Sequence, residues 1–290
     1  MIKPPPDEER GSKGGARVTR DVPAVTRALH ILRSLARNKQ PIGVVSLARE
    51  LKMIPSTCLH ILRVLHDNGM VSFNPRNKRY TLGPGVLAFA TAYSQLNPLV
   101  QVVRGHLQEL ARKHNCAFAA IERSGTEHYI VVAATELAPG LSIRLAAGAR
   151  FPVLISAAGL CFAAFDDMTQ EQMKERFAKL RSDNLPSFAR WLKQVEEVRD
   201  AGYAADSGQY MRGIAVVAVP IFDNDGCMLG CLSAVGVREQ ISGQRHAALV
   251  QDVREAAASV SREMGHGATI EHDIARLAPT APRKARRRQP

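Results

Sequence analysis

Hydroxyl, imidazole and guanidinium groups are gathered on one side of the segment from Pro55 to His66. Ser56 and Thr57 fall in its first turn, and His60 and Arg63 follow at helical spacing. The free backbone N–H groups and the dipole of a helix start attract phosphate. Histidine and, more effectively, arginine can donate hydrogen bonds to base edges. The pattern therefore predicts contacts with the phosphates and bases of DNA.

Two further features support this surface. Leu59 lies on the same side and offers apolar contact alone, for example with a thymine methyl group. Around the polar turn 74–78, three cations occur within four residues, namely Arg76, Lys78 and Arg79. Such a tip suits contact with the phosphate backbone or the minor groove. Each feature alone has an ordinary explanation, because Ser-Thr pairs often cap helices and basic turns are often just solvated.

Three helices and a hairpin are predicted to hold these side chains in place. Asp21 and Pro23 predict a helix start, with the aspartate as cap and the proline in the first turn. That helix ends at a break over 38–43, a second helix covers Val44–Leu51, and a third begins at Pro55. Two strands follow, at Met70–Phe73 and Arg79–Leu82. The third helix is predicted to bury Cys58, Ile61, Leu62 and Leu65. Two helices joined by a tight turn and followed by a hairpin describe a winged helix-turn-helix, whose second helix can enter the major groove.

The net charge of +12 is concentrated at the two ends of the chain. Residues 1–83 hold 15 Lys and Arg against 6 Asp and Glu, whereas residues 84–270 hold 18 against 19. Residues 271–290 hold 6 against 2. A basic end joined to a near-neutral body indicates that one part meets a polyanion, although a merely solvated basic surface would give the same charge. Residues 1–20 and 267–290 are predicted to be disordered.

From Pro98 onward the pattern changes to strands with helices at their ends. A helix at Val86–Tyr93 could link the two halves, and an amphipathic helix at Leu99–His114 follows. Strands are predicted at about 116–122, 128–134, 141–145, 214–222 and 228–235, and helices near 156–165, 169–180, 187–201 and 242–264. The residues 223–226 between the last two strands are a hairpin signal. The arrangement indicates the α+β class, an antiparallel sheet with helices packed on it.

The residues that an enzyme would need are not found. The segment Gly230–Gly236 lacks the spacing of a nucleophile elbow. Gly83–Ala88 has the glycine spacing of a dinucleotide-binding loop, but it follows a wing strand and no acidic residue occurs at the distance that such a site requires. Five cysteines in apolar or small-residue surroundings predict free, buried thiols in a reducing compartment, and no metal site. No signal peptide or membrane-spanning run is present, so a cytoplasmic protein that acts without a membrane or a cofactor is expected.

These residues resemble the IclR-type family of bacterial transcriptional regulators. The segment Val22–Leu32 is similar to the family's first helix, Leu51–Gly69 to its recognition segment, and Val71–Gly83 to its wing. Gly148–Gly159 and Gly202–Ile221 resemble two blocks of its second domain. The likeness covers about residues 22–264, so it is more specific than any single motif.

The resemblance implies a winged helix-turn-helix at 21–83, a linker helix at 84–97 and an effector-binding domain of GAF-like α+β fold at 98–266. It implies a homodimer, or a dimer of dimers, that binds a pseudo-palindromic double-stranded DNA operator and a small-molecule effector. The effectors of the family are often organic acids and sometimes aromatic acids. By motif position, the effector would contact Ala157, Ala158, Gly159, Asp206, Val216 and Ser233.

Alternatives remain at several of these positions. Asp206 would serve equally as a loop cap, and Ser233 as a strand hydroxyl bonded to backbone. Leu154, Leu160, Val216 and Val235 are apolar where family members often carry polar side chains, which indicates a less polar pocket for an aromatic or bulkier ligand. The basic N-terminal domain is also consistent with a protein of another class, namely a small-molecule sensor or enzyme that docks RNA or a protein partner there rather than operator DNA.

Overall fold

The computed structural model of the protein describes residues 22–38, 40–135, 145–182 and 184–277, with the side chains of Gln244 and 266–277 left out. The chain divides into two compact units, Met1–Tyr93 and Ser94–Pro290. The elements up to the boundary are α1 (Pro23–Arg37), β1 (Ile42–Gly43), α2 (Val44–Glu50), α3 (Pro55–Asp67), β2 (Val71–Asn74), β3 (Arg79–Leu82) and α4 (Val86–Leu96), whose last turn lies beyond it.

The first unit folds around an apolar core that three helices and the hairpin share. Ile31 of α1, Leu47 of α2 and Leu62 of α3 are fully buried there, together with Val71 of β2. Burial of side chains of this size contributes about 1.5–3 kcal/mol each. The helical periodicity of the apolar residues therefore determines which face of each helix points inward, as predicted.

Local details of this unit differ from the prediction. The N-cap residue of α1 is Val22, which makes no side-chain cap, and not the predicted Asp21, which lies outside the described residues. The stretch predicted solely as a break contains β1, which pairs with β3 and extends the hairpin to a three-stranded sheet in the order β1-β3-β2. A two-residue strand has no periodicity of its own, so the sequence pattern could not reveal it.

The second unit contains a six-stranded antiparallel sheet, which confirms the predicted α+β class. Its strands run in the order β6-β5-β4-β9-β8-β7, and the helices cover both faces. The elements are α5 (Pro98–His114), β4 (Ala117–Ser124), β5 (His128–Ala134), β6 (Arg150–Pro152), α6 (Ser156–Phe165), α7 (Gln170–Ala178), α8 (Phe188–Ala201), β7 (Ala204–Asp206), β8 (Ile214–Phe222), β9 (Met228–Val237), α9 (Arg238–Ile241) and α10 (Gln244–Leu277).

Each face of the sheet has its own apolar core. On one face, α6, α7 and α8 bury large side chains such as Phe162, Phe177 and Trp191. On the other face, α5 and α10 pack against the strands. Because alternate residues of a strand point to opposite faces, the side chains beside α6 can be read from the register.

Several predictions for this unit need correction. The short edge strands β6 and β7 were missed, and Leu145 is not in a strand. The rest of the strand predicted at 141–145 lies outside the described residues, as do residues 1–20 and 278–290. The last helix is longer than the predicted 242–264 and extends into the predicted tail. Four cysteines are buried, but Cys227 is exposed because it ends the turn between β8 and β9.

Candidate DNA-binding surface and effector site

The polar side of α3 faces solvent while its apolar side is anchored. Cys58 and Leu62 are fully buried, whereas Ser56, His60 and Arg63 are exposed. The remaining predicted contact residues, Thr57 and Leu59, are half-buried at the flanks of this side. The structure therefore brings the five residues of α3 together on one accessible surface.

The first turn of α3 has unoccupied backbone donors. Its N-cap residue, Ile54, makes no side-chain cap, and Pro55 has no N–H group. Within the described part of the chain, the N–H groups of Ser56 and Thr57 have no hydrogen-bond partner. Four donors are orphaned at every helix start, and such a site is suited to a phosphate. Ile54 itself is 69% exposed beside these donors. The sequence analysis does not place it on the DNA-binding surface, since it belongs to no apolar period.

The three cations of the wing have different surroundings. Asn74 Oδ1 accepts from the N–H of Arg76 at 2.9 Å, and Lys78 has a left-handed backbone with φ of 54°. Arg79 donates from Nη1 to the carbonyl oxygen of Pro41 at 2.8 Å. Arg79 thus ties the wing to the segment before β1, while all three cations remain exposed to solvent.

Polar contacts fix the helices that carry this surface. The buried Ser34 donates from Oγ to Glu50 Oε1 at 2.7 Å, which joins α1 to the end of α2. This hydrogen bond is the main cause of a lowered pKa at the Glu50 carboxyl. At the other end of α3, His66 Nδ1 lies 3.0 Å from the carbonyl oxygen of Val71. The first contact fixes α1 against α2, and the second ties the end of α3 to β2.

The helix α4 is apolar but has no buried residue. Phe89, Tyr93 and Leu96 occur at i, i+4 and i+7, which places them on one side of the helix, and they are 68%, 45% and 80% exposed. An exposed apolar stripe of this kind is a candidate interaction surface.

The predicted effector residues of the strands lie on the face of the sheet that α6 covers. Asp206 pairs with Val216, and Ala218, the next residue on that face of β8, pairs with Ser233. Ala157 and Ala158 of α6 belong to the same buried core. Ser233 is completely buried, and its Oγ has just a 3.9 Å contact with the Cys231 thiol. The structure thus supplies a buried hydroxyl that is weakly partnered.

The start of α6 has free donors and a strained first residue. Among the described residues, no partner accepts from the N–H groups of Ser156, Ala157 or Ala158. Ser156 has φ of 62°, and its Oγ is buried without a hydrogen bond. Positive φ is uncommon for a non-glycine residue, and residues held in sparsely populated conformations cluster at functional sites. Ser156 was missed because its conformation is invisible in sequence.

Two predicted contact residues have structural partners. The N–H of Gly159 donates to Ile155 O at 3.0 Å, so it is not available to a ligand. The Asp206 carboxylate accepts from the backbone of the next loop, which corresponds to the loop-cap alternative.

Two cavities lie near these residues. One of about 10 Å³ adjoins Ser156, Trp191 and Tyr210, and it is large enough for about one water molecule. The other, of about 270 Å³, is bordered by Asp206 and Val216 but also by Ala215, Val217 and His246. Ala215 and Val217 belong to the core on the opposite face, and the lining of this groove includes no residue of α6.

The buried thiols are not suited to catalysis. Burial raises the pKa of Cys116 and of Cys231 to about 12, and it raises the pKa of Cys161 as well. A neutral thiol is a poor nucleophile and metal ligand. Nowhere in the described ranges do three or more His, Cys, Asp or Glu side chains form a group that could hold a metal ion. None of the helices in those ranges combines the length with the hydropathy that a membrane span requires.

Comparison with known proteins agrees with both halves of this description. Residues 24–75 match the family model described as the IclR helix-turn-helix domain, and residues 91–262 match the Bacterial transcriptional regulator IclR C-terminal model. The chain belongs to the IclR family. It is therefore a transcriptional regulator with a DNA-binding domain and a ligand-binding domain, and not an enzyme.

Relatives of this IclR-family chain extend over both units. The glycerol operon regulatory protein of Streptomyces coelicolor is 27% identical over 256 residues, which are 86% of this chain and 99% of that protein. The crystal structure of an IclR regulator from Alicyclobacillus acidocaldarius has a TM-score of 0.75 and 28% identity, covering 84% and 100% of the chains. An IclR homolog complexed with 4-hydroxybenzoate, from Microbacterium hydrocarbonoxydans, has a TM-score of 0.69 at 19% identity, covering 83% and 98%, and shows the shared fold alone.

Proposed function

We propose that this regulator binds a pseudo-palindromic operator as a dimer and responds to a small organic acid. The observation that carries the DNA part is the exposed polar side of α3, with its free first-turn N–H groups. Ser56 and Thr57 would hold a phosphate, and His60, Arg63 and Leu59 would face the bases. Arg76, Lys78 and Arg79 of the wing would contact the flanking backbone.

The stripe Phe89–Tyr93–Leu96 supports the dimer. A helix that is apolar and unburied in the single chain has its apolar residues in water, and a second copy would cover them. Two copies related by a twofold axis would present two α3 helices about one DNA turn (~34 Å), or a multiple of it, apart. Pairs of such dimers would form the tetramer.

The start of α6 supports the acid. The free N–H groups of Ala157 and Ala158 suit a carboxylate, and the buried Ser233 hydroxyl offers one more hydrogen bond. Val216, Val235 and Leu160 make the surroundings apolar. The proposed ligand is therefore an acid with an aromatic or bulky apolar body.

Arg63→Ala is expected to reduce sequence discrimination by about 1–3 kcal/mol, because the variant loses hydrogen bonds to base edges. Lys78→Ala is the matched comparison: it removes a cation from the wing, so it should weaken binding to all sequences alike and flatten the salt dependence. Gel-shift titrations would use the region upstream of the chain's own gene and a scrambled duplex.

These titrations also test the proposed operator binding itself. Wild-type chain that binds the upstream and scrambled duplexes equally would overturn it and favour an RNA or protein partner. If neither substitution changes binding, the DNA surface has been placed on the wrong residues.

For the effector, we expect isothermal titration to show tighter binding of aromatic acids than of two-carbon acids, because the site is largely apolar. The probes are 4-hydroxybenzoate, the ligand named with the Microbacterium homolog, and glyoxylate. Tight binding of glyoxylate with no binding of aromatic acids would contradict the proposed ligand class.

A further inference from the structure

The loop after β7 is wound around one buried carboxylate. Asp206 is 2% exposed, and its Oδ1 accepts from the N–H groups of Gly208 and Gln209 at 3.0 and 2.7 Å. Its Oδ2 accepts from the N–H of Tyr210 at 3.3 Å. A carboxylate has about four acceptor positions, and three consecutive N–H groups take most of them. The buried charge is thereby satisfied by the loop itself and has little capacity left for a ligand.

A second segment holds the outer side of the same loop. Ser182 donates from Oγ to the carbonyl oxygen of Gln209 at 2.9 Å. Asn184 donates from Nδ2 to Gly208 O at 3.0 Å and from its N–H to Gln209 O at 3.2 Å. Two side chains and one backbone group therefore join the segment before α8 to the loop 207–210.

The loop closes the space next to the start of α6. Gln209 and Tyr210 border the cavity of about 10 Å³, together with Ser156 and Trp191. Tyr210 also packs edge-on against Phe151, with ring centroids 6.3 Å apart. Since the cavity has room for about one water molecule, no organic acid can reach Ser156 from this side while the loop stays in place.

We propose that residues 207–210 form a lid over the effector site, which Asp206 positions from below and Ser182 and Asn184 latch from outside. Asp206 is then a positioning residue and not a ligand contact. Opening costs the latch bonds, so an effector binds through a gated step and regains this cost from contacts beneath the lid. The identity of what lies beneath rests on the proposed function, whereas the latched loop is a property of the chain alone.

The test uses the full chain without any effector. Trp191 is the single tryptophan of the sequence and borders the closed cavity, so acrylamide quenching of its fluorescence reports opening. Ser182→Ala and Asn184→Ala should each raise the quenching and speed amide hydrogen exchange at 208–210 about fivefold, as expected for one lost hydrogen bond. Asp206→Asn keeps the Oδ1 acceptor and should have a smaller effect than Asp206→Ala, which removes all three bonds.

Ser261→Ala is the matched control on the other face of the sheet. Ser261 Oγ accepts from Phe222 N–H at 3.0 Å and donates to Ala257 O at 2.9 Å, so the substitution removes at least as much hydrogen bonding as a latch variant without touching the loop. The control should leave Trp191 quenching and the exchange at 208–210 unchanged. The lid would be overturned if the latch variants gave the same quenching and exchange as wild type. It would also be overturned if Ser261→Ala raised both as the latch variants do. If the chain binds neither acid probe, the proposed ligand class is overturned, whereas the quenching and exchange results still decide whether residues 207–210 form a latched loop.

Discussion

Phe89→Lys is expected to convert the regulator to a monomer and to weaken operator binding by about 10²–10⁴-fold, the factor gained when two linked sites bind together. The reason is the exposed stripe on α4, where Phe89 is followed on the same side by Tyr93 and Leu96. A charge placed on this stripe would lose its hydration in an apolar interface without gaining a partner. Sedimentation velocity would measure the assembly state, and gel shifts with an intact operator the affinity.

Gln95→Lys is the control for this substitution. It adds the same charge to the same helix at an exposed polar position away from the stripe. The control should remain dimeric and should keep its affinity for the operator. Both variants add one cation that attracts DNA, so a difference in affinity between them reports the loss of the dimer. Monomers in both variants, or dimers in both, would show that the stripe is not the contact between copies.

The elements that local periodicity specifies were predicted well. The start of α3 and the limits of β3, β5 and β8 agree with the sequence analysis, because each has a long apolar pattern or a clear stop signal at its ends. The strands β1, β6 and β7 were missed, since pieces of two or three residues are held by pairing with distant neighbours.

The roles of single residues were harder to predict than the elements. By motif position, the family resemblance implies Asp206 and Gly159 as effector contacts, whereas in the structure both hydrogen-bond to nearby backbone. Whether a carboxylate faces a ligand or its own loop depends on the path of the backbone at 208–210, which no local pattern encodes. Cys227 likewise has apolar residues on one side in the sequence, yet the turn between the strands exposes it.

Gly159→Ala is expected to destabilise the second unit by about 3 kcal/mol, at the upper end of the range for an overfilled core. A Cβ at this position would lie 2.2 Å from the carbonyl carbon of Leu154 and 2.7 Å from its Cα. These are backbone atoms, so they cannot swing away as the end of a long side chain could. Glycine is needed here because α6 turns back onto the residues just before it. Urea unfolding followed through Trp191 would measure the change in the free energy of unfolding.

Gly105→Ala gives the opposite expectation for the same chemical change. Gly105 lies within α5, and a Cβ there would meet nothing within 4 Å. Alanine restricts the unfolded chain and favours the helix, so this variant should be more stable by about 0.5–1 kcal/mol. The close approach of α6 to Leu154 at Gly159 therefore predicts that the free energy of unfolding falls in Gly159→Ala and rises in Gly105→Ala. Equal effects would mean that α6 does not press against Leu154, and the free N–H groups at its start would then lose the geometry on which the effector proposal depends.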